Sequence, residues 1–571
     1  MTSRRPVLKT WLFGSTLLAL ATVGIAAAQP AYPPVTQARL DNAGHSKGWL
    51  MFNRSYAGDD YAPFTQITPQ NVGTLKEVWS SSKVDIPNGF EDIPVVNGDY
   101  MFVTTPLDHI MAFNAKTGKL LWKYDYHVPK VALKTVCCDV NNRGVALYGD
   151  MVFMGTLDNH VLAFDAKTGK LLWNVSLEKP GIGYSISGAP LAIDGKVIIG
   201  SGGGEYGARG FLAGLDAKTG KVLWKTYTIP SPSEPGGKTW PVGAYKHGGG
   251  SPWMPGTYAP STHELYWGVG NPGPWLATMR PGHNLYSDSV IAMDPDTGKI
   301  KWHYQYTRND TWDYDGVNTP QLINLKYDGK TYKAIVEANR NGYFYAINRE
   351  DGHLIYAKPF VHDLSILGID KTGHAINNPK VRPALDKQIF TCPSFLGGKN
   401  WWPGAVDPKT NMAYEPTLHA CMTMKGVPVS YAAGLPYLGE TFQMKPDPAS
   451  PNELGSIQAI DLSTGKQVWQ RKTKEPWDGG AMATAGGLVF SGTTNGKLYA
   501  FDAKTGKILW TSPDLGSGII ATPISYEIDG RQYVAIWTGW GGVWPLWSGK
   551  LGTSLANTPR GGQLHVFALN G

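Results

Sequence analysis

The chain has 571 residues, with 69 Gly, 41 Pro, 21 Trp and 28 Tyr, and only 17% of its residues are charged. That balance favours many short strands joined by tight turns, and it predicts an all-β fold rather than a helical one. The formal net charge is +7, three charges of it in the first 28 residues, and the remainder is too mild for a nucleic-acid binder.

Residues 1–28 read as a cleavable signal peptide. Arg4, Arg5 and Lys9 precede an apolar run that ends in Ala26, Ala27 and Ala28, which places the cut after Ala28. The run Ser3 to Lys9 resembles a twin-arginine export signal with Val7 where Phe is usual, so both that route and the general secretory route stay open. No later segment is apolar enough for a membrane span. Residues 29–571 are expected to form one domain.

One phrase recurs along that domain: AFNAKTGKLLW (112–122), AFDAKTGKLLW (163–173), GLDAKTGKVLW (214–224), AMDPDTGKIKW (292–302), AINREDGHLIY (346–356), AIDLSTGKQVW (459–469) and AFDAKTGKILW (500–510). A degenerate first copy ends at Trp79. Each phrase predicts strand, turn, strand, with Asp or Asn opening the turn and Gly accepting positive φ. Such a hairpin cannot bury both faces alone. The aromatic endpoints Trp79, Trp122, Trp173, Trp224, Trp302, Tyr356, Trp469 and Trp510 predict an eight-bladed β-propeller. The steps Trp224 to Trp302 and Tyr356 to Trp469 are long, so inserted loops must gather there, which argues against an open solenoid. The terminal QLHVFALNG (563–571) matches the phrase's first strand without its partner, so an N-terminal strand is expected to complete the last blade.

The insertions carry the chemistry. Cys137 and Cys138 adjoin in TVCCDVNNRG. Their Cα atoms must lie about 3.8 Å apart, below the usual disulfide range of about 4.4–6.8 Å, so a bridge needs a strained ring and two buried thiols are the alternative. Cys392 and Cys421 are placed for an ordinary structural bridge. GSGGGEYGARG fits a dinucleotide fingerprint at Gly202, Gly204 and Gly207, but a strand-like phrase follows where that fingerprint needs a helix. In NDTWDYDGVN, Asp313 and Asp315 stand two apart, and an extended segment would turn both carboxylates to one side.

These motifs, with the tandem tryptophan phrase, resemble the pyrroloquinoline quinone (PQQ)-dependent alcohol dehydrogenases over nearly the whole mature chain. The resemblance implies that the tryptophan phrases are docking motifs and that Cys137 and Cys138 form a flat disulfide over one face of PQQ. It also implies that Trp253 in HGGGSPWMP stacks on the other face. Glu205, Asn271 in GVGNPGPW, Asp313 and Asp315 match the metal ligands, all hard oxygen donors, which excludes zinc or copper as the natural ion. Asp313 matches the catalytic aspartate, and Arg340 in EANRNGYFY matches the basic residue at the reactive quinone oxygen. Glu91, Arg143, Ser187, Gly204, Asn400 and Trp477 are carried over as contacts to the edge of PQQ.

Asp315 separates two kinds of relative. Calcium-dependent members are expected to have a small or uncharged residue there, whereas lanthanide-dependent members have Asp, and a trivalent ion tolerates one more carboxylate. The resemblance thus implies a periplasmic enzyme that oxidises primary alcohols to aldehydes with PQQ and a lanthanide ion, Ca²⁺ being the alternative. The chain has no Cys-x-x-Cys-His, so it carries no covalent haem and needs an outside acceptor, a periplasmic cytochrome c. Competing readings are a calcium enzyme, a quinoprotein acting on sugars or polyols, and a non-catalytic propeller scaffold of outer-membrane assembly. LPYLGETFQMKP looks closer to broad-range ethanol-type members than to dedicated methanol enzymes. Oligomeric state, a homodimer included, is not legible.

Overall fold

The computed structural model describes residues 1–2 and 31–570. The signal peptide expected over 1–28 lies outside the described residues. Among those described, no helix is long and apolar enough to cross a membrane.

Each repeated phrase forms the hairpin that its residues dictate. His109–Asn114 pairs antiparallel with Leu120–Tyr124, and the turn between them is held locally. Asn114 Oδ1 accepts hydrogen bonds from the Lys116 and Thr117 amides and from the Thr117 hydroxyl, while Gly118 takes φ +72°. Asp165, Asp216 and Asp502 repeat this arrangement. A side chain that accepts two successive amides closes the turn without help from the rest of the chain.

Seven four-stranded sheets and one five-stranded sheet follow from these hairpins, all but a parallel edge pair antiparallel. Inner strands such as Tyr100–Thr105 are buried at every position, because neighbouring sheets cover both their faces. Outer strands such as Leu171–Ser176 are partly buried only at alternate positions, as the pleat requires. The aromatic ends join one sheet to the next. The indole N–H of Trp79 donates to the Ala115 carbonyl, Trp122 to Ala166, Trp173 to Ala217, Trp224 to Pro295 and Trp469 to Ala503. Tyr356 does the same through its hydroxyl to Leu462.

Two segments far apart in sequence meet. Leu75–Ser80 pairs antiparallel with Gln563–Leu569, so an N-terminal strand completes the last sheet, and Tyr61–Ala62 adds a parallel edge to Ala481–Thr484. Two smaller sheets lie between Tyr356 and Trp469: Ile366–Ile369 with Ala375–Asn377, and Gln388–Thr391 with Ala420–Gly426 and Glu440–Pro446. This long insertion reaches the cavity described next.

Candidate active site

A cavity is lined by residues from widely separated parts of the chain. One wall is the Cys137–Cys138 disulfide, which the structure contains despite the adjacency of the two residues. Asp139 pins this turn: its carboxylate accepts from the Asn88 side chain and from the Gly89, Val140 and Gly542 amides. Trp253 provides an indole wall. Glycine is required beneath it, since a Cβ on Gly188 would stand 2.1 Å from the Trp253 carbonyl oxygen.

Two buried arginines divide the polar work. Arg143 pairs with Glu91 at 2.6 Å and donates to the Ser187 hydroxyl at 2.7 Å, and its guanidinium lies 4.9 Å from the Trp253 ring and 4.6 Å from Trp401. Arg340 is shared more widely. It reaches Asp315 at 2.8 Å and Asp313 at 3.4 Å, and it donates to the Asn400 side-chain oxygen at 3.3 Å.

The carboxylates crowd the opposite side. Glu205 sits in a short 3-10 turn, Gly204–Tyr206, flanked by the left-handed glycines Gly203 and Gly207. Asn271 lies beside it, with Oδ1 3.4 Å from where a Cβ on Gly204 would stand. Asp315 is not a solvated turn residue: it is 3% exposed, and its oxygens accept from the Asn271 amide at 2.6 Å and the Trp253 indole at 3.1 Å. The segment 313–315 is not the extended strand expected. Asp310 accepts from the Trp312 and Tyr314 backbone amides and makes a turn there, and Asp313 takes φ 65°, in the left-handed region that Asp adopts more readily than most residues. Both carboxylates nevertheless line the cavity.

Burial raises these acids. Glu205 is pushed up to about 7, chiefly by desolvation and next by Asp315; Glu91 also rises to about 7 by burial, against the pull of Arg143. Asp313 is raised well above the usual carboxylate range by burial, which Arg340 opposes and Asp315 and Glu205 reinforce. Asp313 Oδ1 and Ser251 Oγ are buried with no hydrogen-bond partner among the described residues. With Glu91 matched to Arg143, three carboxylates face the single charge of Arg340, an imbalance that a multivalent cation bound by hard oxygens would offset. The two cations, the flat sulfur and indole walls and the unpartnered polar atoms suit a planar polyanion such as PQQ, so the residues present fit both groups.

A second cavity shares Cys137, Cys138, Glu205, Asp313 and Phe395 with the first. Trp275, Leu438, Phe442, Leu546 and Trp547 make most of its remaining wall apolar. Asp313 therefore faces an apolar approach on one side and the polar slot on the other.

Eleven of the residues singled out from sequence line the first cavity: Glu91, Cys137, Cys138, Arg143, Ser187, Glu205, Trp253, Asp313, Asp315, Arg340 and Asn400. Gly204 and Asn271 abut it. Trp477 does not line it; its indole donates to the Ser491 hydroxyl and its ring packs against Tyr499 and Phe501. Sequence reading passed over Asp139, Phe395 and Trp401, although Asp139 directly follows the cysteine pair and Trp401 directly follows Asn400. The tightest grouping of potential metal-binding side chains among the described residues is elsewhere: His362, Cys392, Cys421 and Asp447 bring their ligand atoms within 4.8 Å of one another, but both sulfurs are joined in a disulfide.

The model of the glucose/ethanol/alcohol dehydrogenase β-propeller domain, named for PQQ, matches residues 49–358 and 369–534. The chain belongs to the PQQ-dependent alcohol dehydrogenase family. It is 39% identical over 536 residues to the quinoprotein alcohol dehydrogenase PedH of Pseudomonas putida, covering 90% of this chain and 89% of that one. A quinoprotein ethanol dehydrogenase of Pseudomonas aeruginosa is 38% identical over 566 residues, with 91% and 90% covered. Among solved structures, a europium-containing methanol dehydrogenase superposes with a TM-score of 0.89 at 36% identity, covering 93% of this chain and all of that one. The family's all-β propeller is the fold of this chain.

Proposed function

We propose that this family member is a periplasmic enzyme that oxidises primary alcohols to aldehydes with PQQ, uses a lanthanide ion, and passes electrons to a periplasmic cytochrome c. Residues 1–28 are its signal peptide, and residues 29–571 form a single ring in which the eight larger sheets are blades docked through their tryptophans. The observation that carries the reading is the convergence of Asp313, Asp315, Glu205 and Arg340 between the Cys137–Cys138 wall and the Trp253 indole.

PQQ, when bound, would supply a quinone as two-electron oxidant of the alcohol, and a trivalent ion would supply Lewis acidity. The protein's own residues do the rest. Cys137–Cys138 and Trp253 would hold the cofactor, and Arg143, Ser187 and Asn400 would meet its polar groups. Glu205, Asn271, Asp313 and Asp315 would hold the ion. Asp313 also takes the alcohol proton on the carboxylate that lines both cavities, and Arg340 offsets negative charge that develops beside it. The apolar second cavity admits the carbon chain of the alcohol and sheds water.

The lanthanide reading rests on Asp315, a third buried carboxylate that favours a trivalent ion over a divalent one. The test is dye-linked alcohol oxidation by metal-free protein supplied with PQQ and one ion at a time. Turnover is expected with La³⁺ and little with Ca²⁺, and Asp315→Ala should weaken the lanthanide-supported rate. Equal rates with the two ions, unchanged in Asp315→Ala, would overturn the assignment and favour a calcium enzyme.

A further inference from the structure

Asp315 does more in this structure than a ligand needs to do. Its two carboxylate oxygens receive donors from three different parts of the chain: the Asn271 amide on Oδ1, and the Trp253 indole and the Arg340 guanidinium on Oδ2. Trp253 is the stacking wall of the slot, and Arg340 also binds Asp313 and Asn400. Among the described residues the indole N–H has no other hydrogen-bond partner. Gly188 packs against the Trp253 backbone and the Arg143 guanidinium lies over its ring, while Asp315 accepts from its N–H.

We propose that Asp315 is a positioning residue for the cofactor, holding the Trp253 indole as a preformed wall of the slot independently of any ion. This rests on the reading of the slot as a PQQ site. A charge-assisted hydrogen bond from indole to carboxylate is directional, so it sets the ring plane against which a flat cofactor must stack. A residue acting only through a bound ion would leave the slot indifferent to its side chain when ions are withheld. One acting through Trp253 would not.

Charge and positioning push in opposite directions, which makes the test sharp. PQQ is a polyanion, so loss of the Asp315 charge by itself favours its binding. Asp315→Asn and Asp315→Ala remove the same charge, but only Asn keeps an oxygen that can accept the Trp253 N–H. The experiment is PQQ binding to the full chain in excess chelator, followed by tryptophan quenching and by the circular dichroism induced in the bound cofactor. Asp315→Asn is expected to bind on the order of tenfold more tightly than Asp315→Ala. The difference should vanish in a Trp253→Phe background, where the ring remains and the donor is gone. Equal affinity and equal dichroism for the Asn and Ala variants would overturn the proposal. So would a difference that survives Trp253→Phe, or an unmodified chain that takes up PQQ only when an ion is added. Failure to bind PQQ even with La³⁺ present would instead remove the cofactor reading itself.

Discussion

The hairpin turns and the cavity use the same residue for opposite ends. Asp165, in a turn, accepts from the Lys167 and Thr168 backbone amides and the Thr168 hydroxyl, and Asp370 in a comparable exposed turn is held down to about 2, first by the Thr372 hydroxyl. Asp313, in the cavity, has one oxygen with no hydrogen-bond partner among the described residues and is raised well above the usual range by burial. Local amides make a carboxylate comfortable and inert. Burial among distant side chains leaves it costly and reactive, and the surrounding fold must supply that cost.

Asp313→Asn tests the reactive side of this contrast and should have the largest effect. An amide cannot accept the alcohol proton, so turnover of protein loaded with PQQ and La³⁺ should drop by about 10²–10⁴ while its melting temperature changes little. Near-normal turnover would remove Asp313 as the base. The next effect is thermodynamic and lies away from the ligands. Glu337 is buried, accepts from the Tyr306 hydroxyl and the Asn339 amide, and is raised to about 8, chiefly by desolvation. A raised acid binds more protons folded than unfolded, so its stabilisation is full below about pH 4.5 and is lost as pH rises toward 8. Denaturant unfolding should show Glu337→Gln flattening that decline, by on the order of a few kcal/mol across the window. An unchanged pH profile would show that Glu337 is ionised in the fold. The smallest effect belongs to the turns. Asp165→Ala should cost about 1 kcal/mol and leave kcat/KM unaltered, because the bonds it loses are local and exposed. A loss of activity there would dissolve the distinction between rim and cavity.

This contrast also explains what the sequence could reveal. The hairpins were legible because the turn residues, glycine and terminal tryptophan act within one phrase, and their spacing alone predicts strand, turn, strand. The cavity residues were legible only as motifs that resemble a family, since nothing local in NDTWDYDGVN announces that Asp313 adopts φ 65° or that Asp315 meets Trp253. Asp139 was overlooked for the same reason. Its partners Gly89 and Gly542 lie 50 and 403 residues away, and no window of sequence contains both. Trp477 shows the converse, because a residue transferred by motif packs outside the cavity lining, against Tyr499 and Phe501.

The pairing of Leu75–Ser80 with Gln563–Leu569 sets an order of events as well as a shape. The first strand of that sheet stays unpaired until Gln563–Leu569, far along the chain, is in place. Contacts so distant in sequence carry a large loop-closure entropy and form late. Until then the growing molecule is an open arc with an exposed edge, vulnerable to pairing with another chain. Closure removes that edge in a single step, so completion of the ring and escape from aggregation coincide. A truncation that removes residues 563–569 would therefore strand the molecule in its open form, however intact the cavity residues remained.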